Sequence, residues 1–236
     1  MDEAALYLIP VPIAGGIPSD TIPEGTIRAA LRLRHFIVED TRSARRALKA
    51  FSRDFPIGEC TFAELNRHTD PADVPAMLAP LREGKPMGVI SEAGCPAVAD
   101  PGADVVAIAQ KEGFRIVPLS GPSSIILSLM ASGFNGQGFA FNGYLPIAKG
   151  ERERKLRDLE SLCRRTRQTQ IFIEAPYRND NMMRAVIEAL HPSTLVCVAA
   201  DISGESQFIR TRSVAQWRKS MPQIGKHPAI FLIHTP

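Results

Sequence analysis

The sequence is poor in the residues that build metal sites and disulfide frameworks. Its 236 residues include four cysteines and five histidines. Cys60, Cys95, Cys163 and Cys197 lie far apart and form no C-x-x-C pair, which argues against disulfides or zinc and suits a reducing compartment. The histidines are scattered, with no H-E-x-x-H spacing, so no metal site is expected. No apolar run approaches the roughly 18 residues that a membrane span needs. The N-terminus passes directly into ALYLIPVPI (5–13) without a basic segment or a cleavage site. A cytoplasmic protein with no membrane partner is expected. Two nucleotide signatures are also missing. Without G-x-G-x-x-G or G-x-x-x-x-G-K-[ST], neither an ordinary dinucleotide fingerprint nor a standard nucleoside-triphosphate loop is supported.

What is present is an ordinary globular composition, 44% hydrophobic and 22% charged, with a net charge of +3. The first half alternates apolar runs with helix-period segments. Leu6–Val11, His35–Val38, Met87–Ile90 and Arg115–Leu119 read as strands. Glu24–Arg34, Arg42–Ser52, Asp73–Glu83 and Gly102–Glu112 read as helices, the last stopped by Gly113. Such alternation, with strands apolar throughout, predicts a parallel sheet covered on both faces. The second half differs. A Ser/Gly/Pro-rich join, Ser120–Ser124, precedes an apolar helix over Ile125–Ala131. Strand candidates follow at 139–145, 170–175, 194–200, 207–212 and 229–234, with helices near Glu151–Arg164 and Asn179–Leu190. Several of these strands are joined too closely for crossover helices, so a mixed sheet is expected. The fold class is thus α/β, with an N-terminal domain over 1–119 and a C-terminal domain over 120–236.

Open parallel sheets bind ligands beyond the carboxyl ends of their strands. Three unusual loops fall there and share one edge: Val11–Gly16, Glu39–Arg42 and Ser91–Gly102. Gly15-Gly16 suits either close backbone approach to a ligand or a plain turn. In Glu39-Asp40-Thr41-Arg42, Asp40 or Thr41 suits a helix cap, which leaves Glu39 and Arg42 for a ligand. The tail Asp100-Pro101-Gly102 reads as a helix start. The head, Ser91-Glu92-Ala93-Gly94-Cys95-Pro96, has no such structural need. Its small residues expose backbone groups and leave room for a bound molecule. Cys95 has no neighbouring base to activate it, so it reads as a small filler. Two carboxylates, Glu92 and Asp100, are too few for a hard-metal loop.

The positive charge is local. Lys149–Arg167 holds eight basic and four acidic residues, net +4, so the remainder of the chain sums to −1. A solvated helix with i,i+4 pairs accounts for this pattern, and so does a phosphate-contacting ridge for RNA. Few aromatic residues for base stacking accompany it.

Taken in order, these motifs resemble the class III S-adenosylmethionine (SAM) methyltransferases, the tetrapyrrole methylase superfamily. Within it they are most similar to the ribosomal small-subunit RNA 2′-O-methyltransferase I branch. The resemblance rests on Val11–Gly15, Glu39–Arg42, Ser91–Pro96 with Asp100–Gly102, Ser120–Ser123, Gly143-Tyr144-Leu145-Pro146 and Glu174-Ala175-Pro176-Tyr177-Arg178. It is collinear from about residue 6 to residue 190. It implies a two-domain fold with a parallel-sheet N-domain, a mixed-sheet C-domain and SAM folded into the cleft between them, in a homodimer. By the same resemblance Pro12 and Glu92, Ala93, Gly94, Cys95 and Pro96 line the cofactor, and Ser123 and Ser124 contact it. The Glu39–Arg42 loop, Tyr144 and the Glu174–Arg178 loop face the acceptor. Glu92 and Cys95 stand where the branch carries Asp and Thr, the segment Asp201–Ser206 replaces its usual acidic motif, and a further C-terminal segment seen in many members does not appear before Pro236.

The implied chemistry is methyl transfer to RNA, with ribose 2′-O-methylation of ribosomal RNA as the specific form. A hydroxyl acceptor needs a base, for which Glu39 or Asp40 is the candidate and Glu174 the reserve; Arg42 and Arg178 would hold a phosphate. Lys149–Arg167 would contact the RNA. A small-molecule methyltransferase of the same superfamily and a SAM-binding regulatory module without turnover stay open at this stage.

Overall fold

Ala5–Ile9 is the first of five strands, and the central ones are buried on both faces while the two at the edges are partly exposed. The computed structural model describes residues 4–236, which fall into two units, 4–123 and 124–236. Unit 1 runs β1 (Ala5–Ile9), α1 (Glu24–Leu31), β2 (His35–Val38), α2 (Thr41–Phe51), β3 (Thr61–Glu64), α3 (Ala79–Arg82), β4 (Met87–Ile90), α4 (Gly102–Lys111) and β5 (Arg115–Pro118). The sheet order is β3-β2-β4-β1-β5, and every pairing is parallel. Neighbouring residues of one strand point to opposite faces. Ile37 and Val89 accordingly pack with Leu78, Leu81, Val105 and Ala109 on one side. Phe36, Val38 and Ile90 pack with Ala30, Leu33 and Leu48 on the other. Two buried faces explain why these strands read as unbroken apolar runs.

Unit 2 runs α5 (Ser124–Ser132), β6 (Phe139–Tyr144), α6 (Lys149–Thr166), β7 (Thr169–Glu174), α7 (Asn179–Ala189), β8 (Leu195–Ala200), β9 (Phe208–Ser213), α8 (Val214–Lys219) and β10 (Ala229–His234). The sheet order is β6-β7-β10-β8-β9; β6 and β7 are parallel, and the other pairs are antiparallel. The mixed sheet matches the expectation from short connections. Its core gathers Leu156 and Leu159 of α6, Met182 and Val186 of α7, and Trp217 of α8 around the stacked rings of Phe172 and Phe231. The Trp217 indole N–H donates to the Val196 carbonyl at 3.0 Å, so this large ring is buried without an unpaired donor. No helix among the described residues is long and apolar enough to cross a membrane.

The structure departs from the sequence expectations in places with clear causes. The expected helix over Asp73–Glu83 is broken into a 3₁₀ turn, Val74–Leu78, and the single-turn α3. Pro75 and Pro80 lack N–H donors and clash with the preceding turn, so no continuous helix can form. The strand expected over Leu6–Val11 stops at Ile9, because Pro10 cannot donate to the ladder. Strand β3 was not expected. It is four residues at the sheet edge, partly exposed, and its pairing with β2 supplies what its own pattern does not. Helix α8 was also missed, although Ser213 and Gln216 form a reciprocal capping box that marks its start.

Candidate active site

The parallel register brings the carboxyl ends of four strands of unit 1 side by side. Ile9 of β1 and Val38 of β2 both pair with Ile90 of β4, and Leu8 pairs with Pro118 of β5. The chain leaves β2 toward β3 on one side and β4 toward β5 on the other, so the connections of these neighbouring strands diverge and favour a crevice at their ends. Backbone bonds tie the emerging loops together. Val11 and Gly94 exchange two hydrogen bonds of 3.0 and 3.1 Å, and the Glu39 N–H donates to the Ile90 carbonyl at 3.3 Å. Two glycines permit this. Gly94 has φ +72°, which L side chains seldom adopt. A Cβ at Gly121 would lie 2.3 Å from Pro10 Cγ, so only glycine lets these two segments touch.

The segment Ser91–Gly102 is held in an unusual backbone. Ala97 and Ala99 have φ of +65° and +63°, both in the left-handed region. Such residues cost on the order of 1–3 kcal/mol each and persist where their surroundings force them. Asp100 does the forcing. Its Oδ1 accepts from the Ala97 N–H at 2.8 Å and from the Gly102 N–H at 2.7 Å, so one oxygen holds both the strained bend and the start of α4. Burial pushes the Asp100 carboxyl up, opposed by those two N–H groups and by the Ser91 hydroxyl.

The acidic residues of this edge have separate roles. Asp40 caps α2, accepting from the Ser43 N–H at 2.7 Å. That bond, with help from Arg42 and Arg46, holds its carboxyl below the usual range. Glu64, at the end of β3, accepts from the Thr41 N–H at 3.0 Å. Glu39 is half-buried and moves the opposite way. Burial pushes its carboxyl up; the Glu92 backbone N–H opposes the shift, and the charges of Glu92, Asp100 and Asp40 add to it. Two carboxylates adjacent in the chain are thus driven apart, one toward a stable anion and one toward a proton acceptor. A void of about 10 Å³, close to what one water needs, borders both Glu39 and Asp100.

Beside them lies a larger crevice of about 340 Å³, lined among others by Pro12, Ala14, Gly15, Ser43, Arg46 and Glu92. This volume is at the lower end of the roughly 300–1,000 Å³ of small-molecule sites. Of the residues proposed from sequence, Pro12 and Glu92 line it. Ala93 is exposed, Gly94 and Pro96 are buried, and Cys95 is half-buried. The Cys95 thiol donates to the Pro122 carbonyl at 3.4 Å, and burial pushes its pKa up, so it stays protonated at neutral pH. Arg42 is exposed on the first turn of α2. Ser123 ends unit 1, and Ser124 begins α5 of unit 2.

Glu174 belongs to unit 2. Its side chain is 1% exposed, and Oε1 accepts from the Ala175 N–H at 2.7 Å and from the Arg178 guanidinium at 2.6 Å. It is committed to shaping its own loop. Sequence reasoning missed Asp100 as a loop clamp and Arg46 as a crevice residue. Arg46 was legible in part, since it stands one helical turn after Arg42. Among the described residues no group of three His, Cys, Asp or Glu is placed to hold a metal ion.

No protein-family model matches the chain. Similarity to named proteins is nonetheless extensive. The chain is 28% identical over 232 residues to the ribosomal RNA small subunit methyltransferase I of Vibrio cholerae, covering 97% of this chain and 76% of that protein. It is 30% identical to the protein of the same name from Escherichia coli O157:H7, covering 91% of this chain and 71% of the relative. For Bacillus subtilis the values are 30%, 89% and 68%. Among solved structures, the methyltransferase CobJ superposes with a TM-score of 0.64 at 16% identity, covering 98% of this chain and 94% of that one. The cobalt precorrin-4 methyltransferase CbiF gives 0.57 at 17% identity, with 98% and 95% covered. At these identities the two structures establish a shared fold.

Proposed function

The chain belongs to the ribosomal RNA small subunit methyltransferase I family, and from that premise we propose that it transfers a methyl group from S-adenosylmethionine to an RNA ribose hydroxyl. The proposal includes a cytoplasmic, homodimeric enzyme. The residues at the strand ends of unit 1 suit the donor. Pro12 and Glu92 border a crevice of small-molecule size, and Ala93 beside them is exposed. The carboxylates of Glu39, Glu92 and Asp100 favour a cationic ligand. When bound, S-adenosylmethionine would supply an electrophilic methyl group on a sulfonium. Pro12, Glu92–Pro96, Ser123 and Ser124 are the residues we assign to holding it.

The observation that carries the mechanism is the opposed tuning of Glu39 and Asp40. A hydroxyl becomes a competent nucleophile as its proton leaves, and Glu39 is the carboxylate prepared to take it. The proton passes from the ribose hydroxyl to Glu39 and then to water after transfer. Asp40 keeps α2 in place, and Glu174 positions Arg178; neither is assigned a proton. Arg42 and Arg178 are assigned to backbone phosphates.

The test is direct. Purified protein given methyl-labelled S-adenosylmethionine and small ribosomal subunits should place label in the RNA, within a dinucleotide that resists alkaline cleavage. Label found only in small metabolites, or donor binding without any transfer, would sink the proposal.

A pH dependence follows. Glu39 acts as a base once ionised, so activity should rise through an acid limb lying above the ordinary glutamate value of 4.5. The stability contribution has the opposite sign. A raised folded-state pKa means that the folded protein holds the proton more tightly, so this group stabilises at low pH and loses that contribution as pH rises through the limb. Taking wild type minus Glu39→Gln isolates it from other carboxylates. An acid limb that is unchanged in Glu39→Gln would assign the base elsewhere.

A further inference from the structure

Unit 2 contains a second cluster that the transfer chemistry does not use. The parallel strands β6 and β7 each lead, at the same sheet edge, into the N-terminus of a helix, α6 and α7 respectively. Between these starts lies a cavity of about 380 Å³ bordered by Lys149, Arg152, Arg178, Asn181, Arg184 and Glu188. Four cations thus face one carboxylate on the cavity wall, with Glu174 behind Arg178.

Three observations indicate an anion. First, neither helix start has a capping side chain: Ala148 and Arg178 hold the cap positions, and neither accepts a bond from the first turn. At both starts the helix dipole favours negative charge, although the Asn179 N–H is already bonded to the Pro176 carbonyl. Second, the cations are on the wrong end of the helices for stability. Lys149 is the first residue of α6, Arg152 the fourth, and Arg178 immediately precedes α7, where the dipole disfavours positive charge. Third, the guanidinium groups are under-used. Arg152 donates to the Ile147 carbonyl at 3.0 Å and Arg184 to Asn181 Oδ1 at 3.1 Å, and neither has a carboxylate within 4.0 Å among the described residues. Lys149 Nζ is 3.5 Å from Glu188 and 3.8 Å from Glu153. The Nε–H groups of Arg152 and Arg178 are shut off from solvent and meet no acceptor. Buried donors of this kind call for a partner. By contrast Arg157, on the same helix, pairs normally with Glu153 at 3.2 Å.

The geometry points to a seat for a phosphodiester of the RNA substrate between the starts of α6 and α7, contacted by Lys149, Arg152 and Arg184. This rests on the RNA reading above and adds a defined contact in unit 2 to it. Exposed aromatic rings favour RNA over a free phosphate or an acidic peptide. Tyr144 ends β6 and is 61% exposed, and Tyr177 follows β7 and is 72% exposed. The Arg178 guanidinium lies 5.5 Å from the Tyr177 ring centre. A phosphate seat flanked by open rings suits a strand whose bases can stack.

The experiment measures binding of a labelled single-stranded RNA to the full chain across a salt series. For single strands, each phosphate contact contributes about 0.7 to the slope of log affinity against log salt. The double variant Arg152→Gln/Arg184→Gln should bind about tenfold or more weakly, with a slope shallower by about 1.4. Arg184→Gln alone, at an exposed position, should remove about half of that slope change. Donor affinity, read by calorimetry, should stay within about twofold, which shows that the variants are folded. Arg154→Gln/Lys155→Gln removes the same charge from exposed positions of α6 outside the cavity and should cost less than about threefold. Equal losses in the two double variants would overturn the seat in favour of a diffuse basic ridge. Wild-type RNA binding with no change in Arg152→Gln/Arg184→Gln would overturn the seat and leave the RNA reading intact. Wild type that shows no salt-dependent RNA binding would remove both. Inorganic phosphate that stabilises wild type but not the double variant, with RNA affinity equal in the two, would assign the cavity to a free phosphate instead. Polyglutamate that displaces RNA as well as unlabelled RNA does would assign it to an acidic protein.

Discussion

Glu39→Gln is expected to lower methyl transfer by about 10²- to 10⁴-fold, the range for loss of a positioned general base. Glutamine keeps the size and can still accept from the Glu92 N–H, but it cannot take a proton. Donor affinity should therefore change little, and the loss should appear in single-turnover rates. Asp40→Ala is the contrasting variant. It removes the cap of α2 and should cost about 1 kcal/mol of stability while turnover falls far less. The pair separates two neighbouring carboxylates by what each does: one sits among acidic groups, the other is bonded to a helix start. Wild-type turnover in Glu39→Gln, or a larger activity loss in Asp40→Ala, would refute the assignment.

Arg178→Met should be the most destabilising single change proposed for unit 2, at about 3–5 kcal/mol. The reason lies in its partner. Glu174 is 1% exposed, and without the guanidinium at 2.6 Å its charge has little solvent to compensate it. The second substitution Glu174→Leu, added to Arg178→Met, should restore much of the loss, since removing both charges is far less costly than removing one. Trp217 is the chain's one tryptophan and is buried in unit 2, so its fluorescence reports unfolding of that unit in urea. A loss below about 1 kcal/mol in Arg178→Met would show that the pair is not the anchor of this loop.

Much of the architecture was legible in the sequence. His35–Val38 and Met87–Ile90 were expected with the bounds found, because a strand buried on both faces must be apolar at every position. Gly113 and the Ser120–Ser124 join punctuate the chain for stereochemical reasons that need no tertiary partner. Where local signals were overruled or silent, one reason is local and one is tertiary. Prolines at 75 and 80 cut a segment of helical period, and β3 is held by β2 rather than by its own pattern.

The active-site loops divide along the same line. Sequence alone determined which segments emerge at the strand ends and that Ser91–Pro96 is rich in small residues, because side-chain size and strand direction are set by residue order. It could not rank the carboxylates. Glu39, Asp40, Glu174 and Asp100 have the same reacting group, and chain position does not reveal how deeply each is buried or which N–H it meets. The sequence offered Asp40 as one of two caps for α2, and the structure shows that it is the one used; only the tertiary structure decided that Glu174 is spent on Arg178 and Asp100 on the bend at Ala97. The proton affinity of Glu39 comes from burial and from charges distant in the chain, which only the fold brings together.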